Sequence, residues 1–166
     1  MSHRLYIGNK MVGIPYFNTP WFDMADRELL KIPTVIQTFN PAEHDRSALG
    51  FDPMRCVHGS VEESEAGGFN RRTALRDDWT WIATHSTGMI VGPDWMESTG
   101  AKSEVACHHA LGLPVWEYDV FLKCWNSPEL WSLSSLVSPL TAWPRVSMPL
   151  VDDEPDDGGF FCDCHG

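Results

Sequence analysis

Four short β-prone runs, alternating with helix-prone stretches, constrain this chain more than any other feature. Leu5-Tyr6-Ile7 closes at Gly8, and Thr34-Val35-Ile36-Gln37-Thr38-Phe39 closes at Asn40-Pro41. Gly88-Met89-Ile90-Val91-Gly92 and Val115-Trp116-Glu117-Tyr118 complete the set. Each is short, apolar or β-branched, and bounded by turn residues, as a buried strand should be. Thr19-Pro20 supplies an N-cap followed by proline at the first helical position, where the missing N–H costs nothing. That helix should run to about Lys31, ahead of Pro33. Asn70 to about His85 reads as a second helix, with Ala74, Leu75, Trp81 and Ile82 as its apolar stripe. Ser98-Thr99-Gly100 opens a third, running to Leu111 and stopped by Gly112 and Pro114. The order β-α-β-loop-α-β-α-β predicts an α/β domain with an open, mostly parallel sheet and helices on both faces.

The chain has 166 residues, a length that suits one domain. The expected division is an α/β domain over 1–119, a helical C-terminal extension over 120–137, and an acidic Pro/Gly-rich tail over 138–166. Residues 42–69 show no sustained period and read as a long loop. The net charge of −11 argues against a broad phosphate-neutralising surface, so no nucleic-acid partner is expected. It leaves room for one small anionic ligand, held by local cations and backbone amides. No run is long and apolar enough to span a bilayer, so no membrane partner is expected. The five cysteines are odd in number and scattered, which fits reduced thiols in a cytoplasmic protein.

In an open α/β sheet, ligands bind beyond the carboxyl ends of the strands. Three loops should meet there: Gly8 to Asn18, Asn40 to about Arg46, and Pro93 to Thr99. The first brings Gly8, Asn9, Lys10, Gly13, Phe17 and Asn18 to the expected pocket, the second Asn40. The third brings Asp94, Trp95 and Ser98, with Gly100 just beyond. Glu104 lies within two turns of the start of the following helix, where the helix dipole favours an ionised carboxylate and hence a nucleophile. Position alone is more often that of an ordinary solvent-facing glutamate. Asp78 falls between Ala74-Leu75 and Trp81-Ile82, on or beside the inward face, where desolvation would raise its pKa. The alternative is an edge aspartate paired with Arg72 or Arg76. Two carboxylates from neighbouring helices can divide nucleophilic attack and proton transfer at a glycosidic bond.

Several ordered blocks resemble the nucleoside 2-deoxyribosyltransferase-like proteins of phages and bacteria. They are Tyr6-Ile7, Met11, Gly13 to Asn18, Asn40-Pro41-Ala42-Glu43-His44, Ala74 to Asp78, Trp81-Ile82, Pro93 to Ala101, Glu104-Val105-Ala106 and Ala110 to Val115. The resemblance covers about residues 4–118. It implies a flavodoxin-like (Rossmann-like) fold, no cofactor or metal, a nucleoside or nucleotide substrate, and a covalent glycosyl intermediate on Glu104. Asp78 matches the other functional carboxylate. Ser98, six residues before Glu104, matches the serine that helps bind the 5′-phosphate in related nucleoside 5′-monophosphate N-glycosidases. Relatives assemble as dimers or larger oligomers, so a homo-oligomer is expected, in host cytoplasm if the chain is phage-encoded.

The chain departs from that pattern at Gly8-Asn9-Lys10, where the first strand usually ends Ala-Gly-Pro. Thr87 stands where an aspartate precedes the third strand. Both changes are expected at the pocket mouth, and Lys10 there could contact a phosphate. They keep a second reading open, a catalytically altered protein that binds or sequesters a nucleotide in the same pocket. Trp21 and Trp95 flank the pocket loops and could stack on a base. Cys56-Val57-His58 and Cys162-Asp163-Cys164-His165 offer thiolate and imidazole groups, but neither half has the two-residue gap of a zinc site.

Overall fold

Alternation along the first strand decides which side chains face which layer. In a computed structural model that describes residues 2–126, β1 (His3–Gly8) lies second in a four-stranded sheet. Its neighbours are β2 (Val35–Phe39) and β3 (Gly88–Val91), and β4 (Val115–Glu117) forms the far edge beside β3. All pairings are parallel, with Gly8 level with Val91 and Tyr6 level with Phe39. Leu5, Ile7 and Ile90 point to one face, where α1 (Thr19–Leu29) and α6 (Tyr118–Asn126) cover them with Phe22, Ala25, Leu29 and Phe121. Tyr6, Met89 and Val91 point to the other, against Ile82 of α4 (Arg71–His85) and Ala101 and Val105 of α5 (Thr99–Ala110). This is the expected three-layer α/β architecture, consistent with a flavodoxin-like domain.

Residues 42–69 are not the featureless loop expected from their lack of period. They contain α2 (Pro41–Ser47), a tight turn at Pro53–Arg55 and α3 (Val61–Ala66). These helices are too short to show a period, and their caps carry the signal instead. Asn40 accepts from the Glu43 N–H ahead of α2. Ser60 and Glu63 form a reciprocal capping box that starts α3. The strand expected to reach Tyr118 ends at Glu117, and Tyr118 begins α6 and joins the core. Residues 127–137 of the expected extension, and the acidic segment 138–166 with its Cys and His, lie outside the described residues.

Candidate functional site

The strand order places β1 and β3 side by side, while the loops that leave them run to opposite faces of the sheet. A crevice opens at such a point in open α/β sheets. Here it is a cavity of about 730 Å³, walled by the end of β1, the start of α5, the first half of α4 and the 51–69 segment.

Asp78 and Glu104 meet in this cavity because each helix turns a buried stripe toward β1. Ala74, Asp78 and Ile82 are the buried residues of α4, spaced by four. Ala101, Glu104, Val105 and His108 are those of α5. Asp78 is 7% exposed and Glu104 8%. Arg76 does not pair with Asp78; it binds Asp77 at 2.7 Å instead. Around Glu104 the backbone is stripped of side chains: a Cβ on Gly8 would come within 3.2 Å of Oε2, and one on Gly100 within 4.0 Å of Oε1.

Tyr6 completes this group. Period-2 alternation turns its fully buried ring toward α4 and α5. Its hydroxyl lies close enough to both carboxyls to draw each pKa down, although strict hydrogen-bond geometry is met to neither. His108 packs behind the Tyr6 ring, with centroids 5.9 Å apart. Its Nδ1–H donates to the Glu104 carbonyl at 2.9 Å, so it is a packing residue outside the cavity lining.

Burial dominates the electrostatics. It pushes Glu104 up to about 7 against the lowering influence of the Tyr6 hydroxyl. The helix dipole expected to keep Glu104 ionised therefore loses to desolvation. Asp78 rises further, to about 9, through burial and then the negative charges of Glu104, Asp45 and Asp77. Asp45, on α2, borders the same cavity and is pushed up to about 7 by burial, with Arg46 opposing and Asp77 assisting. Among the described residues, no three His, Cys, Asp or Glu side chains are arranged to hold a metal ion.

The remaining sequence candidates divide. Gly8, Asn9, Lys10, Phe17, Ser98 and Gly100 border the cavity. Ser98 caps α5 by accepting from the Ala101 N–H at 3.2 Å. Lys10 Nζ is already engaged, 2.6 Å from Glu97 Oε2. Asn9 does not block the pocket: its carboxamide lies over Gly92, where a Cβ would come within 2.2 Å of Nδ2. Phe17 enters through a left-handed turn in which Tyr16, Phe17 and Asn18 all have positive φ. That turn is held by Tyr16 N–H to the Cys56 carbonyl at 3.0 Å and by the Thr19 hydroxyl to the Tyr16 carbonyl at 2.7 Å.

Gly13, Asn18, Asn40, Asp94 and Trp95, expected at the pocket, do not border the cavity. Asn18 donates to the Lys10 carbonyl at 2.9 Å and so shapes the loop from behind. Asn40 is spent on capping α2 and on Asp23, 3.1 Å away. Gly13 and Asp94 are exposed, and Trp95 is buried in the apolar cluster under α5. Trp21 packs on Phe22 and Tyr118, in the opposite layer. Thr87 is not at the pocket mouth either; it sits just before β3, exchanging hydrogen bonds with Arg4.

No protein-family model, curated protein or solved structure matches the chain. The site's own chemistry carries the functional argument.

The residues overlooked in the sequence are Tyr6 and Asp45. Strand alternation could have assigned Tyr6 to the layer of Tyr6, Met89 and Val91, but not to a position between two carboxyls. Asp45 falls within the second loop expected at the pocket, but without the short helix that carries it nothing in the sequence singles out its side chain.

Proposed function

We propose that this protein acts on the N-glycosidic bond of a nucleoside or nucleoside 5′-monophosphate, with Glu104 as nucleophile at C1′ and Asp78 as proton carrier. One observation carries the reading: two buried carboxyls share one cavity, and burial together with the charge of Glu104 pushes Asp78 further up, to about 9, than burial pushes Glu104, to about 7. Between those values Glu104 is a carboxylate and Asp78 a carboxylic acid, the division of labour that glycosidic cleavage requires. A Glu104 oxygen forms a bond to C1′ as the C1′–N bond breaks. The electron pair leaves with the base, which takes the Asp78 proton. In the second step the Asp78 carboxylate accepts a proton from water as the water oxygen bonds to C1′, and the ester bond to Glu104 breaks. A second base in place of water makes the reaction a transfer.

Gly100 leaves room beside Glu104 for a sugar ring, while at Gly8 the missing Cβ admits the Met89 side chain and spares the Glu104 carboxyl. Ser98, Lys10 and the N-terminal end of α5 border the cavity and suit a 5′-phosphate. A nucleotide-binding protein without turnover is the second reading. It is favoured by the cost of ionising Glu104, whose burial pushes its pKa up.

Free base released from a panel of nucleosides and 5′-monophosphates near pH 8, with and without an acceptor base, tests the proposal. A brief incubation should also leave a peptide carrying a pentosyl ester on Glu104. Glu104→Gln should bind ligand and release none of the base. Folded wild-type protein that binds nucleotides but liberates no base would establish the second reading instead.

A further inference from the structure

The cavity holds a third carboxyl that neither step above uses. Asp45 is 6% exposed and borders the cavity from α2. Among the described residues, no hydrogen bond or ion pair holds its side chain. Its sequence neighbour Arg46 acts on it through space but makes its ion pairs with Asp23, 2.7 Å away, and Glu43. A buried carboxyl without a partner is costly, and folded proteins pair or remove such groups unless a ligand satisfies them.

The wall beside Asp45 is aromatic. Phe51 and Phe69 border the cavity with ring centroids 4.7 Å apart, and Phe17 lies 5.7 Å from Phe51. Flat apolar rings beside one buried acceptor suit a planar heteroaromatic ring with a polar N–H on its rim. An anionic group is disfavoured there by the company of Asp78 and Glu104. The cation and hydroxyl of Lys10 and Ser98 belong to a different wall, formed by the β1 loop and the start of α5.

We propose that Asp45 selects the leaving base by accepting a hydrogen bond from an exocyclic amino group, so that the ligand carries adenine, cytosine or guanine rather than thymine or uracil. The assignment rests on the glycosidic reading of the site. A carboxyl offers at least one acceptor oxygen in either protonation state, and an amino N–H satisfies it in both. Thymine and uracil offer a ring N–H flanked by two carbonyl oxygens, which would crowd the lone pairs of a carboxylate.

The test measures equilibrium binding to the full chain carrying Glu104→Gln, so that ligand survives. The probes are the deoxynucleosides of all five bases and their 5′-monophosphates. The best amino-bearing ligand should bind about tenfold more tightly than its thymine or uracil counterpart. Adding Asp45→Leu should bring that ratio near one, while Asp45→Asn, which keeps an acceptor oxygen, should preserve most of it. Without ligand, both Asp45 variants should melt at or above the parent temperature, because an unpaired buried carboxyl has been removed. An unchanged ratio in Asp45→Leu, a preference for thymine or uracil, or a drop of several degrees in both variants overturns the assignment. Base release from protein with Glu104 intact adds one further outcome: an equal loss for every base in Asp45→Asn would make the residue part of the reaction and overturn the assignment. If no nucleoside or nucleotide binds at all, the glycosidic reading falls together with this one.

Discussion

The Glu104 carboxylate lies over the Cα of Gly8: a methyl group there would come within 3.2 Å of Oε2 and 2.1 Å of the Met89 Cε. The last residue of β1 therefore carries no side chain on the side where Glu104 sits. Gly8→Ala should displace Met89 and press on the carboxylate, costing about 1–3 kcal/mol of stability through overpacking. Ligand affinity should fall by about tenfold or more, and calorimetry beside thermal melting would check both. Wild-type affinity in a folded Gly8→Ala protein would show that the space beside Glu104 is not used.

Activity should follow a bell-shaped pH profile. Glu104 must lose its proton, which happens as pH rises through about 7. Asp78 must keep its own, which fails as pH passes about 9. The kcat/KM for base release should peak between those values, and Asp78→Asn should abolish the alkaline limb along with most of the rate. A profile already flat at pH 5 would contradict the ionisation order.

Stability should fall with alkalinity for the same reason. An unfolded aspartate releases its proton near pH ~4, whereas folded Asp78 holds it to about 9. The folded chain thus binds more protons in that window, and unfolding becomes easier as pH rises through it. His108 has its pKa lowered by burial, so its opposing influence is confined to the acid side. Melting temperatures measured from pH 7 to 9 should decline in the wild type and decline less in Asp78→Asn.

Ser98→Ala should remove the cap that accepts from the Ala101 N–H. A loss of about 1 kcal/mol is expected from the cap alone. If Ser98 also meets a 5′-phosphate, affinity for monophosphates should drop more than affinity for the parent nucleosides. Lys10→Met should act in the same direction, reduced by the ion pair that Lys10 already makes with Glu97. Parallel titrations of nucleoside and monophosphate series separate the cap from the contact.

Much of the fold, and the burial of Asp78, is legible in the sequence. The caps at Thr19-Pro20, Asn70 and Ser98 mark helix starts, and β-branched runs ending in Gly or Asn-Pro mark strands. The inward stripe of α4 pointed to Asp78 as a buried carboxyl, which it is. The failures share a cause. Asn40 and Trp95 sit in the expected loops, but each is consumed by local structure, one as a cap and one in the core. Loop membership does not say which way a side chain turns. The 42–69 segment shows no helical pattern because helices of six or seven residues are shorter than the window of about 11–18 residues over which a period can be read.

What the chain determined by itself is local: where strands and helices begin and end, and so the layered parallel sheet. Hydrophobic period and cap chemistry act between residues a few positions apart, and those are visible in order along the chain. Only tertiary packing decided that Asp45, Asp78 and Glu104, from three helices, line a single cavity, with the buried Tyr6 hydroxyl close to two of them. Their pKa values arise from mutual burial across those elements, a quantity that no residue carries until the layers close.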